Sequence, residues 1–270
     1  MIRVEALVHV YEGGTRAVDS VDLKVETGQR VAIIGQNGSG KTTLVKHFNG
    51  LLRPTQGRIM VDGEDAIRKR VAALSAVVGL AFQDPDRQIF AGRVRAEVEF
   101  GPRNLGLSGA GLAHVVDHAL LATGLERDAD ANPYDLGYSR RKLLALASIL
   151  AMETPVVVLD EPTTGQDAHG IERVQAIVAS LANAGRTVIA ISHDMRFAAE
   201  SFERIIVMRA GQIALDGTPA EVFAEPSWPT LASTYLEPPL AARVGARLGL
   251  GATPTEASLV DALAARGSGT

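Results

Sequence analysis

The densest chemistry in the chain lies in one run: Gly35, Gln36, Asn37, Gly38, Ser39, Gly40, Lys41, Thr42 and Thr43. It fits the pattern G-x-x-x-x-G-K-[ST] in full, the pattern of a loop that wraps a chain of phosphates. Glycines at 35, 38 and 40 let the backbone curl so that successive N–H groups point inward at an anion. An apolar run, Val31-Ala32-Ile33-Ile34, leads in, and residues 42–48 follow with helical character. A helix beginning there adds the partial positive charge of its N-terminus. In that setting Lys41 reaches the β- and γ-phosphates of a nucleoside triphosphate and the Thr42 hydroxyl ligates Mg²⁺. A glycine-rich turn without function has no need of a strand, a lysine and a threonine in this register.

A second chemical stretch is Val156-Val157-Val158-Leu159-Asp160-Glu161. An acidic residue closing a buried parallel strand sits where open α/β sheets bind ligands. Asp160 is expected to hold Mg²⁺, directly or through water, opposite Thr42. Glu161 is expected to polarise an attacking water or accept its proton. Two polar residues follow other apolar runs. Gln83, after 77–82, can touch the metal or the attacking water, and His193, after 187–192, can contact the γ-phosphate. Tyr11 ends the first apolar alternation, placed either to stack on an adenine ring or simply to close a sheet.

These residues need elements to position them. Ile2, Val4, Ala6, Val8 and Val10 recur at a period of two, as do Val21, Leu23 and Val25, which predicts half-buried antiparallel strands joined by a turn over 12–15. Val31–Ile34 lacks alternation, as a strand buried on both faces should. Further strands are predicted at 58–63, 77–82, 155–159 and 187–192, with a hairpin of 205–208 and 212–215 around Ala210-Gly211. Helices are predicted over 111–123, 140–152 and 168–184, the first two within a mainly helical stretch of about 92–152. Strands alternating with helices argue for a parallel α/β core. Thr218-Pro219-Ala220-Glu221 is a capping box that starts another helix. Short helices are expected at 240–250 and 257–265, and a frayed end at 267–270.

Composition narrows the function. A chain of 270 residues with 46% hydrophobic residues can bury a core and hold one large domain or a domain with an appendage. A net charge of −4 supplies no overall basic field for nucleic acid. Without cysteine there is no disulfide, thiol nucleophile or thiolate metal site. The first residues lack the apolar core of a signal peptide, and the longest apolar runs are too short to cross a bilayer. A soluble cytoplasmic protein is expected, meeting a membrane only through a partner.

Taken together, these residues resemble the nucleotide-binding subunit of an ABC transporter over about residues 11–223. Tyr11 matches the aromatic A-loop, residues 35–43 Walker A, Gln83 the Q-loop and residues 156–161 Walker B. Gly165-Gln166-Asp167 matches the D-loop and His193 the switch histidine. The resemblance implies an α/β P-loop NTPase of ABC type, with an antiparallel β subdomain and an inserted helical subdomain. The ATPase domain would span 1–223, followed by a helical C-terminal extension over 224–270. Within the superfamily, residues 83–90 (QDPDRQIF) and 100–107 (FGPRNLGL) resemble energy-coupling-factor (ECF) ATPases, which include cobalt systems.

That resemblance implies ATP and Mg²⁺, in-line attack of water on the γ-phosphate, and uptake of a vitamin or transition-metal ion through ATP-driven dimer closure. Its partners would be a second ATPase, an integral membrane scaffold and a small substrate-binding membrane protein, with this chain at the cytoplasmic face, not itself inserted in the membrane and not bound to nucleic acid. One departure stands out. Where the family carries a signature close to L-S-G-G-Q, which reaches across a dimer to ATP, this chain has Leu136-Gly137-Tyr138-Ser139-Arg140. By that match Gly137, Tyr138 and Ser139 would meet the partner's nucleotide, yet Tyr138 puts a side chain where backbone should approach phosphate. Ser139 offers a displaced hydroxyl and Arg140 a compensating charge. The expectation is pairing with a different ATPase that bears an intact signature. Asp84 and Asp86 are either receivers of a membrane partner's arginines or a solvated acidic turn.

Other classes fit less well. Ribosome-acting relatives carry two nucleotide-binding domains per chain and DNA-repair relatives a long coiled-coil insertion, neither of which is present. A catalytically silent regulatory ATP-binding subunit is motivated by the altered signature and opposed by Glu161 and His193. A GTPase would need an Asn-Lys-x-Asp element, and the sequence has none.

Overall fold

The computed structural model describes residues 1–267. Strands β1 (Ile2–Val10) and β2 (Arg16–Val25) pair antiparallel, with Ile2 opposite Val25 and Val4 opposite Leu23. β4 (Gln56–Val61) pairs with the other edge of β1, and β5 (Glu64–Asp65) completes a sheet of order β2-β1-β4-β5. The period of two expected through Ala6 does not hold. Ala6 adopts φ 45° and faces solvent, Leu7 enters the core instead, and the pairing register shifts between Val4 and Leu7. The irregularity is a bulge, which bends a strand and increases its twist.

The second sheet has the order β10-β9-β3-β8-β7-β6. Its members are β3 (Arg30–Ile34), β6 (Val78–Ala81), β7 (Val156–Asp160), β8 (Thr187–Ile191), β9 (Arg204–Arg209) and β10 (Gln212–Gly217). All neighbours are parallel except β10, which returns antiparallel to β9 through Ala210-Gly211. β6, β7 and β8 are buried at every position, which is why their sequences are continuously apolar rather than alternating.

Helix α1 (Lys41–Phe48) sends Leu44, Val45 and Phe48 into an apolar cluster shared by the two sheets, beside Leu7, Ile33 and Ile206. A short α2 (Val71–Ser75) precedes β6. Then comes the helical region: α3 (Val94–Asn104), α4 (Gly109–Thr123) and α5 (Tyr138–Leu150). With α6 (Ala168–Asn183) and α7 (Met195–Ser201) it shares the second apolar cluster, through residues such as Val98, Leu120, Leu144, Val178 and Phe197. Helix α3 carries no clear apolar stripe because one of its buried positions is Glu97, whose carboxylate accepts the N–H groups of Phe90 and Ala91 at 3.0 and 2.8 Å. Helix α5 starts at Tyr138, two residues before the expected 140.

After β10 the capping box opens α8 (Pro219–Val222), with both reciprocal hydrogen bonds formed. α9 (Trp228–Ala232), α10 (Leu240–Arg247) and α11 (Glu256–Gly267) follow. Residues 268–270 of the expected frayed end lie outside the described residues, and Gly267 closes α11. Among the described residues no helix is long and apolar enough to cross a membrane.

Candidate active site

The parallel strands deliver their C-terminal ends to one cleft of about 510 Å³. Asn37, Gly38, Gly40, Lys41, Thr42 and Thr43 line it from the loop after β3, and Tyr11, Gln83, Asp160 and Glu161 line it from elsewhere. Gly40 caps α1 at φ 101°, and a Cβ there would fall 2.2 Å from the Ala17 carbonyl oxygen. Gly35, at φ 151°, would clash with the Met208 carbonyl at 2.3 Å. Both glycines therefore answer to a twisted backbone and to a neighbouring chain segment at once. No side chain caps α1, so its first amides remain available to an anion.

Gly35, Gln36 and Ser39 stand behind the cleft and hold the lysine. Lys41 Nζ donates to the Gly35 and Gln36 carbonyls at 2.7 and 2.9 Å and to Ser39 Oγ at 3.4 Å. Burial pushes the Lys41 pKa below its usual range, while the Glu161 and Asp160 carboxylates pull it back up. The loop is also braced from outside: Gly211 N–H donates to the Ser39 carbonyl, and Asp19 N–H to the Gly211 carbonyl. Nothing local in the sequence couples that hairpin turn to the loop.

At the end of β7, Thr42 Oγ1 donates to Asp160 Oδ2 at 3.0 Å. The other oxygen, Oδ1, is buried without a hydrogen-bond partner. Burial raises the Asp160 pKa, against the hydrogen bond from Thr42. An orphaned carboxylate oxygen beside a threonine hydroxyl fits a small hard cation, which takes one or two protein oxygens and completes its shell with phosphate and water. Gln83 is exposed at the rim and lines both this cleft and an adjoining cavity that Thr42 and Asp160 share.

Glu161 takes φ 54°, an uncommon conformation for a residue with a side chain. Its side chain is buried, and Oε2 accepts from His193 Nδ1 at 2.6 Å and from the His193 backbone N–H at 3.3 Å. A carboxylate can only accept, so the bond places a proton on Nδ1. The His193 ring stays 62% exposed, which leaves its other nitrogen open to a ligand. A buried lysine escaped the sequence analysis: Lys142, on α5, donates to the Glu161 backbone carbonyl. Burial lowers its pKa too, opposed by the Glu161 and Asp160 charges.

Tyr11 OH bonds with Thr43 Oγ1 at 3.0 Å, and its ring stands edge-to-face on His9 at 4.6 Å. Behind them His47 Nδ1 donates to the Thr43 carbonyl at 2.7 Å and Nε2 meets His9 Nδ1 at 3.1 Å. Burial drives the His47 pKa down to about 4, so the imidazole is neutral. Neither histidine carries a motif; only the folding of β1 against α1 brings them together.

The residues 137–139 do not line the cleft. Gly137 and Tyr138 are exposed, Ser139 bonds with Gln166, and one edge of the Tyr138 ring lies against Gly165. The neighbouring charges have partners within the chain. The Arg140 guanidinium pairs with Asp128 and donates to the Gly124 carbonyl. Asp86 has Arg141 of the same chain 2.9 Å away and stays half exposed. Asp84 caps the short turn that follows it by accepting the Asp86 N–H at 3.1 Å.

Comparisons agree with this geometry. The chain matches the family model for ABC transporter over residues 18–164. An energy-coupling factor transporter ATP-binding protein EcfA from Methanoculleus marisnigri is 41% identical over 88% of this chain and 86% of its own length. A putative ABC transporter ATP-binding protein from Methanosarcina acetivorans is 43% identical over 90% of this chain, which spans only 39% of that protein. Among solved structures, cbiO1 of Clostridium perfringens, part of the ABC transporter complex cbiONQ, superposes with a TM-score of 0.75 at 34% identity, covering 92% of this chain and 98% of that one. The dimeric ATP-binding cassette MJ0796 with ADP and phosphate gives 0.74 at 25% identity, over 81% and 98%. This chain belongs to the ABC transporter family as an ATP-binding ATPase, among relatives that include the ATP-binding proteins of energy-coupling factor transporters.

Proposed function

We propose that this chain is the ATP-hydrolysing subunit of an ECF-type importer that takes up a vitamin or a transition-metal ion. The observation that carries the hydrolytic part is the pairing at the strand ends: Thr42 with Asp160, whose second oxygen is unpartnered, and Glu161 with His193. The loop amides and Lys41 grip the β- and γ-phosphates, with Lys41 exchanging its carbonyl partners for phosphate oxygens. Tyr11, fixed by Thr43 and His9, stacks on the adenine. Thr42, Asp160 and Gln83 hold Mg²⁺, which when bound neutralises charge developing on the phosphates. His193 occupies Oε2 of Glu161, so Oε1 remains to take a proton from the attacking water. The exposed Nε2 of His193 turns toward the γ-phosphate while Nδ1 stays on Glu161.

The turn 137–139 lies outside the chain's own cleft, which suits contact with a nucleotide on an opposite subunit, and the dimeric cassette at 25% identity supports such an arrangement. Because Tyr138 replaces a glycine there, a homodimer would put the altered turn in both sites. We therefore favour a heterodimer with an ATPase of intact signature. A groove of about 320 Å³, lined by Leu51, Phe82, Phe90, Phe100 and Met152, supports an apolar seat for a membrane scaffold, with the chain at the cytoplasmic face in this reading. Phe90 and Phe100 are 59% and 49% exposed, with ring centres 4.6 Å apart. Such an aromatic pair at a surface marks an interaction site.

The test is hydrolysis by the assembled complex. Glu161→Gln should cut turnover by about 100-fold or more while ATP still binds, the scale of losing a group that acts only in the transition state. Intact turnover, with the equivalent change in the partner ATPase abolishing it, would reverse the assignment of the competent site.

A further inference from the structure

Four side chains close a circuit behind one wall of the cleft. Tyr11, following β1, bonds with Thr43 Oγ1 at 3.0 Å. One turn along α1, His47 Nδ1 donates to the Thr43 carbonyl at 2.7 Å. His47 Nε2 meets His9 Nδ1 at 3.1 Å, and the His9 ring stands at 80° to the Tyr11 ring. His9 Nδ1 also lies 3.1 Å from the Arg53 carbonyl, in the segment that leaves α1.

One protonation pattern satisfies every bond. A carbonyl only accepts, so His47 carries its proton on Nδ1 and, being neutral, offers a lone pair at Nε2. His9 then carries its proton on Nδ1, shared between that lone pair and the Arg53 carbonyl. Both imidazoles are buried, whereas Tyr11 is 42% exposed. Burying two polar rings costs desolvation that an apolar pair would not. Here their contacts tie them to Tyr11 and Thr43, and both of those line the cleft. An exposed ring that would otherwise have to be ordered by its ligand is ordered beforehand from behind.

From this geometry we infer that His9, oriented by His47, is a positioning residue that presets the Tyr11 ring as a platform for the base and so sets the share of ATP affinity that depends on adenine. The inference rests on the proposed stacking of adenine on Tyr11.

The experiment is calorimetry on the full chain with Mg²⁺ and two probes: ATP, and inorganic tripolyphosphate, which has neither base nor sugar. His9→Ala should weaken ATP about two- to tenfold, the cost of ordering one freed side chain on binding, and leave tripolyphosphate within about twofold. His9→Asn, a milder change that keeps a donor for His47 but drops the ring, should show the same split. His9→Phe, which returns a ring to the Tyr11 edge, should recover part of the loss. In a Tyr11→Ala background the His9 variants should cost nothing further, because the platform they position is gone. Unchanged ATP affinity in the Ala and Asn variants, equal losses for the two probes, or a full further loss in the Tyr11→Ala background would overturn the positioning role. If Tyr11→Ala weakens ATP while the His9 variants do not, the inference falls alone. If Tyr11→Ala itself leaves ATP affinity intact, the stacking reading falls and takes the inference with it.

Discussion

The phosphate loop and the turn 137–140 each open a helix and each contain glycine, yet they are built in opposite ways. In the loop, Gly35, Gly38 and Gly40 all take positive φ, and the Lys41 ammonium is satisfied by carbonyls that a phosphate can replace. In the turn, Gly137 is extended at φ −62°, and the side chains are committed to their own subunit: Tyr138 to Gly165, Ser139 to Gln166, Arg140 to Asp128. The loop offers its backbone to a ligand, whereas the turn adds side chains that brace it against its own chain. The difference teaches that sequence departure at the turn is not decay into disorder. Ser139 and Tyr138 tie the turn to the loop 165–167 while Gly137 and Tyr138 stay exposed.

The largest effect expected on this contrast comes from Lys41→Ala. It should weaken ATP binding to the isolated chain by about 100-fold or more, as for losing a charge-assisted contact to phosphate. Tyr138→Ala, measured in the same calorimeter, should leave that affinity within about twofold. Equal losses in the two variants would erase the distinction between loop and turn.

A second effect concerns what supports the loop from behind. In the unfolded chain His47 gains a proton as pH falls below 6.5, whereas the folded chain resists until about 4. Between those values the unfolded state holds more protons, so stability drops as pH falls through that window and levels off below it. The full drop is on the order of 3 kcal/mol. His47→Gln, which keeps a donor for the Thr43 carbonyl, should flatten the difference in denaturation midpoints between pH 6.5 and 4; an unaltered pH profile would show that the buried imidazole is not the source.

The smallest effect sharpens the turn itself. Gly165→Ala should cost about 1–3 kcal/mol, because alanine meets both an unfavourable φ and the Tyr138 ring. In a Tyr138→Ala background part of that cost should return, since the ring is gone while the φ remains. Identical costs in the two backgrounds would mean that the Tyr138–Gly165 packing contributes nothing.

How much of this was legible beforehand follows the range of the interactions. The loop 35–43 and the β7 end announce themselves because their chemistry is contiguous and their strands are continuously apolar. Helix α3 escaped because Glu97 occupies a buried position and Pro102 sits inside the helix, so neither apolar spacing nor propensity marked it. The Ala6 bulge escaped because a one-residue slip leaves the composition of a strand unchanged while exchanging its faces. The Arg140–Asp128 pair escaped because the acid is twelve positions away across a loop. His9 with His47, and Lys142 with Glu161, are joined only by the fold. What sequence periodicity reports is which face an element buries; it does not report which distant side chain waits there.

Glu161 carries a consequence beyond the reaction. Its backbone at φ 54° is one that glycine would occupy without strain, so the side chain that does the chemistry is carried there at a conformational cost. That cost and the reaction fall on a single residue. The neighbouring anchors, Lys142 on its carbonyl and His193 on its carboxylate, are what keep the tension from being released.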